Sequence, residues 1–308
     1  MNTKALEIMD NIKKVIKGKD DVIEKVLIAT LSKGHILIED VPGVGKTTLA
    51  NALAQSMDLS YKRVQFTPDL MPSDIIGINI YDKNTGDFSF KKGPIFNHIF
   101  LADEINRTSP KTQSSLLQAM EEGEVSTDNK DYILEEPFMV LATQNPLEYQ
   151  GTFPLPEAQL DRFLMKISIG YPEEDFEMEI LNNYENINPK NLNAVANKED
   201  ILGMQKKVES LVAHRDIIKY IVEISNATRN SKNIQLGISP RASIDLLKAA
   251  KSKAFLENRD YVIPDDVKEM VIPVFNHRII LSPEARIERK TPEAILKGLL
   301  KTIFVPII

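Results

Sequence analysis

Apolar residues recur at helical spacing from the start of the chain. Leu6, Met9, Ile12 and Ile16 predict an amphipathic helix over residues 3–16, broken by Gly18. A second helix is expected from Asp20 to Ser32, with Val22, Val26, Ala29 and Thr30 or Leu31 turned inward. The period then changes. Nearly continuous apolar runs at 35–39, 61–66, 97–103, 137–143 and 165–169 read as strands, and helical runs near 46–57, 109–122 and 156–162 lie between them. Runs this apolar suit strands buried on both faces, and their alternation with helices predicts an α/β domain around a mostly parallel sheet. Two hairpins interrupt the alternation. One pairs Ile75–Tyr81 with Phe88–Phe90 across an Asn84/Gly86 turn; the other pairs Glu124–Thr127 with Tyr132–Leu134 across 128–131. Each is either a functional insert or surface decoration. From Pro172 onward strand signals fade and the pattern is helical, with loops at 186–193, 230–239 and 260–264. Ser239-Pro240 places a proline at the start of a helix. The expected division is an α/β domain over residues 1–171 and an all-helical domain over 172–308.

Composition narrows the function classes. A length of 308 residues supports two domains, each with its own core. The net charge is −6, which argues against a broad basic footprint for nucleic acid. Lys83, Lys91 and Lys92 near the first hairpin are the only local basic hint, and a solvated face explains them better. There is no cysteine, which excludes disulfides, thiolate metal sites and cysteine nucleophiles and fits a reducing compartment. No apolar stretch approaches the ~18 residues of a transmembrane helix, and Met1-Asn2-Thr3-Lys4 does not open a signal region, so a cytoplasmic protein is expected. The apolar end, Ile303–Ile308, reads as a docked tail or an oligomer contact.

The candidate chemistry lies in Ile36–Thr48, a buried strand, a glycine loop and a helix opening on Lys46 and Thr47. Gly43 and Gly45, flanked by Pro42, Val44 and Thr48, let backbone N–H groups turn toward an anion at a helix N-terminus. Lys46 can reach the β- and γ-phosphates of a nucleotide, and Thr47 can ligate Mg²⁺. The usual G-x-x-x-x-G-K-[ST] pattern places glycine at position 40, where this chain has Asp40. A glycine-rich turn without a ligand remains the competing reading. About fifty residues on, the apolar run Asn97–Ala102 ends in Asp103-Glu104. Carboxylates at the carboxyl end of a central strand lie where open α/β sheets bind ligands. Asp103 would hold Mg²⁺ through water, and Glu104 would act as general base on the attacking water. A solvated acidic turn is the alternative. Asn145 ends a further apolar strand and could orient water or touch the γ-phosphate, or simply form an Asn-Pro turn. Arg162 could act on a neighbouring subunit's nucleotide or pair with Asp161; Arg241 carries the same ambiguity.

In this order the motifs resemble those of AAA+ ATPases, and more narrowly the MoxR family. The similarity runs from about Ile16-Lys17-Gly18-Lys19 to His277-Arg278-Ile279. It is carried by Glu39-Asp40-Val41-Pro42-Gly43-Val44-Gly45-Lys46-Thr47, Ala102-Asp103-Glu104-Ile105-Asn106-Arg107 and Ala142-Thr143-Gln144-Asn145-Pro146. Leu155–Phe163 and Ser239-Pro240-Arg241-Ala242 complete it. The resemblance implies an α/β P-loop AAA+ core with two inserted hairpins, followed by an all-α lid. It makes Asn145 the sensor-1 residue, Arg162 an arginine finger acting in trans, and Arg241 the sensor-2 residue on the lid. It places Ile16 to Gly18 against adenine, and it makes Asp40 an accepted variant. The expected activity is Mg²⁺-dependent ATP hydrolysis in a homo-oligomeric ring, a hexamer, in which Arg241 couples the γ-phosphate to the angle of the lid. The expected role is chaperone-like remodelling or assembly of a client protein, often one with a von Willebrand factor A domain. Two rival readings use the same core: a nucleic-acid motor, disfavoured by the acidic charge, and a nucleotide-gated scaffold with little turnover, disfavoured by the intact Asp103-Glu104 pair.

Overall fold

A computed structural model of the chain describes residues 3–83, 87–127, 130–146, 151–182 and 188–306. The α/β half opens with α1 (Thr3–Lys13), α2 (Asp20–Leu31), β1 (Ile36–Glu39), α3 (Lys46–Ser56) and β2 (Tyr61–Gln65). A short α4 (Pro72–Ile76) leads into the hairpin β3 (Gly77–Asp82) and β4 (Asp87–Lys92). Then come β5 (Ile99–Asp103), α5 (Pro110–Glu122), the hairpin β6 (Glu124–Thr127) and β7 (Lys130–Ile133), β8 (Met139–Gln144), α6 (Glu157–Leu160) and β9 (Met165–Ile167). The remainder holds α7 (Glu174–Asn182), α8 (Lys198–Ser210), α9 (Arg215–Arg229), β10 (Ile234–Leu236), α10 (Pro240–Leu256) and α11 (Pro264–Phe275). It ends with β11 (Ile280–Leu281), α12 (Pro283–Ile287) and α13 (Pro292–Leu300).

The expected sheet forms in full. Its five strands run parallel in the order β2-β5-β8-β1-β9. Side chains alternate across it, as strand geometry demands. Ile36, Ile38, Ile99, Leu101, Met139 and Leu141 enter one core with α1, α2 and α3. Leu37, Phe100, Ala102, Val140 and Ala142 enter the other with α5. Because both faces are covered, the strands read as unbroken apolar runs and not as alternation. Parallel order sends every strand's carboxyl end to one edge of the sheet, and the loops after β1, β5 and β8 meet there.

Several details differ from the sequence reading. The first helix stops at Lys13, and its buried face is Ala5, Ile8 and Ile12, while Leu6 is exposed. Ile75 and Ile76, expected at the start of the first hairpin, belong to α4. Pro72 at the first helical position and the Asp74 carboxylate accepting the Met71 N–H start that turn. The hairpin turns at 84–86 and 128–129 lie outside the described residues, as do 183–187, which take in the first two residues of the expected 186–193 loop. In the helical half, β10 and β11 add an antiparallel ribbon too short to leave a periodic signal. Val22, Val26, Ala29, Thr30 and Leu31 of α2 are buried as expected. What buries its C-terminal half is partly the helical half: Ser32 Oγ lies 2.8 Å from Ser252 Oγ, and Gln205 Nε2 donates to Thr30 O at 2.8 Å. The apolar tail docks Ile303 and Val305 on the core and leaves Phe304 exposed.

Candidate active site

At the carboxyl edge of the sheet, a cleft of about 350 Å³ is lined by Pro42, Gly43, Gly45, Lys46, Thr47, Thr48, Arg63, Gln65, Asp103, Glu104 and Asn145. A larger groove, about 680 Å³, runs between Leu211 and Arg259 of the helical half but contains none of these groups. The chemistry therefore marks the smaller one.

The loop after β1 holds Gly43 at φ 88° and Gly45 at φ 92°, values L side chains rarely adopt. A Cβ at either glycine would meet no atom within 4 Å, so conformation and not space requires glycine. Gly45 precedes α3, whose first N–H groups have no partner within the helix and open onto the cleft. Lys46 folds back so that Nζ donates to Asp40 O at 2.8 Å. The Val44 side chain packs against the core.

Asp40 explains its own departure from the glycine pattern. Its Oδ2 accepts N–H bonds from Ile169 at 2.6 Å and Gly170 at 2.8 Å, and the Ser168 hydroxyl at 3.0 Å; its Oδ1 accepts the Val41 N–H at 3.0 Å. The carboxylate thus ties the phosphate loop to the segment leaving β9 for the helical half. Next to that segment lie Ile16 and Gly18. Lys19 Nζ donates to Tyr171 O at 2.7 Å, and Lys17 pairs with Glu179 at 2.8 Å. The Phe176 ring sits so close to Gly18, φ 66°, that a Cβ there would lie 2.3 Å from it. Neither Ile16 nor Gly18 lines the cleft itself.

Asp103 ends β5 with both oxygens engaged. Thr143 Oγ1 donates to Oδ1 at 2.6 Å, while Arg63 Nε and Nη2 donate to Oδ2 at 3.0 and 2.6 Å. Glu104 stands in the left-handed region, φ 57°, ψ 50°, uncommon for a residue with a side chain and typical of strained functional turns. Its N–H donates to Thr143 Oγ1 at 2.9 Å, and its Oε2 accepts Gln65 Nε2 at 2.6 Å and Arg107 Nη1 at 2.8 Å. Asn145, largely buried, lines the cleft one residue beyond β8. Among the described residues, no cluster of three or more His, Asp or Glu side chains could cage a metal. Thr47 and Asp103 offer the hard oxygens that suit Mg²⁺ shared with substrate phosphates, which needs few protein ligands.

Arg162 and Arg241 are not in this cleft. Arg162 Nη2 lies 3.0 Å from Glu121 Oε2, and Arg241 Nη1 lies 2.6 Å from Glu121 Oε1. Glu121 follows Met120, whose carbonyl accepts from His35 Nε2 at 3.1 Å, and His35 immediately precedes β1. Both arginines thus occupy the amino edge of the sheet, a strand length of about 13 Å or more from the phosphate loop. Arg241, expected to couple the γ-phosphate to the lid, pairs with Glu121 at this edge and lies outside its own chain's cleft. α10 begins beside Asp161, with Ser239 Oγ 3.3 Å from Asp161 Oδ2, and that seat faces away from the cleft.

Comparison with known proteins agrees with this architecture. A model described as the ATPase family associated with various cellular activities (AAA) matches residues 35–165, and one for the AAA lid domain matches 226–299. Chaperone MoxR1 of Mycobacterium tuberculosis is 40% identical over 304 residues, 96% of this chain and 80% of that protein. The chain belongs to the MoxR family of AAA+ ATPases. The uncharacterized protein YeaC of Bacillus subtilis is 50% identical over 97% of this chain and 94% of its own length. A solved crystal structure from Cytophaga hutchinsonii, 41% identical, superposes with a TM-score of 0.92 over 99% of this chain and 96% of its own.

Four polar residues of this MoxR-family chain escaped the sequence reading. Arg63, Gln65 and Thr143 surround Asp103 and Glu104 from strands 38 or more residues away. Arg278, its side chain 2% exposed, reaches from the lid to the Asp161 carboxylate at 3.1 Å, Asp245 at 2.7 Å and Phe163 O at 2.8 Å. It therefore clamps both residues that flank Arg162.

Proposed function

We propose that the chain hydrolyses ATP with Mg²⁺ in a closed ring of identical subunits, six on the family's pattern, and that the resulting motion remodels a client protein. The observation that carries this reading is the division of charged groups between the two edges of one sheet. The loop, Lys46, Asp103, Glu104 and Asn145 occupy the carboxyl edge; Arg162 and Arg241 share Glu121 at the amino edge. A ring sets one subunit's amino edge against the next subunit's cleft, so both arginines serve the neighbour's nucleotide.

Within the cleft, the N–H groups of the loop and Lys46 bind the phosphates, with Lys46 exchanging the Asp40 carbonyl for phosphate oxygen. Thr47 and Asp103 would hold Mg²⁺, which would supply charge neutralisation at the phosphates. Glu104 accepts the proton of the attacking water, and Asn145 places that water. Arg162 from the adjacent subunit stabilises charge on the transferring phosphoryl oxygens. Chaperone-like action, on a client that in this family often carries a von Willebrand factor A domain, follows the likeness to Chaperone MoxR1. Among the described residues no helix is long and apolar enough to cross a membrane.

Two variants test the chemistry. Glu104→Gln should bind ATP and hydrolyse it at least ~10²-fold more slowly, the usual size of a general-base contribution. Lys46→Ala should lose nucleotide binding. Near-normal turnover by the first, or tight binding by the second, removes that residue from its role.

A further inference from the structure

Arg63 lies in the phosphate cleft although the phosphate-loop pattern does not call for it. It sits mid-strand on β2, opposite Leu101, and reaches along the sheet toward Asp103. Its Nε and Nη2 converge on a single atom, Asp103 Oδ2, and Nη2 also donates to Gln65 Oε1 at 3.0 Å. The other carboxylate oxygen is taken by Thr143.

Two features show more than a structural tie. The Arg63 side chain keeps 46% of its surface exposed inside the cleft, while Asp103 keeps 11%. The pair therefore leaves the guanidinium within reach of a ligand in the cleft while the carboxylate is largely shielded. The guanidinium also occupies Asp103 Oδ2, the oxygen that Thr143 leaves open, in a cleft lined by the glycine loop and the start of α3. A planar fork of N–H donors fits phosphate oxygens as well as it fits a carboxylate, and it can exchange one for the other.

We propose that Arg63 is a phosphate-contacting residue acting in cis. It pairs with Asp103 while no terminal phosphate is present. When a nucleoside triphosphate occupies the cleft, its guanidinium passes to the terminal phosphate oxygens and frees Asp103 Oδ2 for Mg²⁺. The arginine then does two things: it selects triphosphate over diphosphate, and it delays metal binding until a triphosphate arrives. The proposal rests on the ATPase reading.

The test measures binding of a fluorescent nonhydrolysable ATP analogue and of fluorescent ADP to the full chain, each titrated with Mg²⁺. Wild type, Arg63→Lys and Arg63→Ala are compared, and thermal melting checks that each is folded. Arg63→Ala should bind ADP within about twofold of wild type and the triphosphate about tenfold or more weakly, the loss of a charge-assisted fork. With ADP, it should saturate at lower Mg²⁺. Arg63→Lys keeps the charge without the fork and should fall between; if Arg63→Ala does not fold, the lysine variant carries the test. An unchanged triphosphate preference with unchanged Mg²⁺ demand overturns the proposal, and so does an equal loss of both nucleotides. Wild type that binds neither nucleotide would overturn the ATPase reading itself.

Discussion

Asp40 shows how one side chain serves two ends of a site. Its carboxylate satisfies the N–H groups of Ile169 and Gly170, and its carbonyl holds Lys46. Removing the acceptor leaves two N–H groups at or near the interior without a partner, each costing about 1–3 kcal/mol. Asp40→Ala should therefore lower the unfolding free energy by about 2–6 kcal/mol in urea denaturation, summing those two losses. A loss below about 1 kcal/mol would mean that the Ile169–Gly170 segment finds other partners. At this scale the sequence was legible where chemistry is contiguous: Gly43 to Thr47 and Asp103-Glu104 announce themselves by spacing alone. It was not legible where partners are remote. Nothing near Arg63 points to Asp103, 40 residues on, and nothing near Arg278 points to Asp161 and Phe163, more than 110 residues back. Such pairs exist only once strands have been ordered side by side.

The strands themselves were legible because burial on both faces leaves an apolar run that few other elements produce. Their ends were less so, since a run does not mark where pairing stops. His35, counted into the first strand, instead precedes β1 and pins two neighbouring elements. Its Nδ1 accepts the Val140 N–H at 3.0 Å and its Nε2 donates to Met120 O, which fixes the neutral ring. Burial lowers its pKa from 6.5 to about 4. His277, just past α11, donates Nε2 to Phe163 O at 2.9 Å, and burial beside Arg278 lowers its pKa to about 3. Both folded values lie below the unfolded one, so the unfolded chain takes up these protons first. The stability these histidines contribute is whole above pH 6.5 and declines as pH falls toward about 4. With both protonating only on unfolding, the slope should approach about 2–3 kcal/mol per pH unit near pH 5. Urea midpoints at pH 7.5, 6.5, 5.5 and 5.0 would read it, as flagged by the ~1.4 kcal/mol that each pKa unit represents; a flat profile across that range contradicts the two neutral rings.

At the scale of the molecule, the candidate cleft lies at the carboxyl edge of the sheet, and the lid is fastened at the amino edge. Arg278 and His277 reach from the end of α11 to Asp161 and Phe163, on either side of Arg162. Lys253 of α10 meets Glu24 of α2 at 2.8 Å and Glu269 of α11 at 3.0 Å, so the lid also seats on α2. In the proposed ring, a change in lid position would therefore move Arg162 relative to the neighbouring cleft. The sequence could place both arginines near motifs but not on an edge, because the edge is a property of strand order.

The ATPase rate per subunit, followed against protein concentration with Mg²⁺ present and with molecular size measured at each point, tests the central claim most directly. A cleft completed by the neighbour's Arg162 predicts a rate that climbs steeply as rings assemble and then levels. An appreciable rate that stays constant down to concentrations where the chain is monomeric would contradict it.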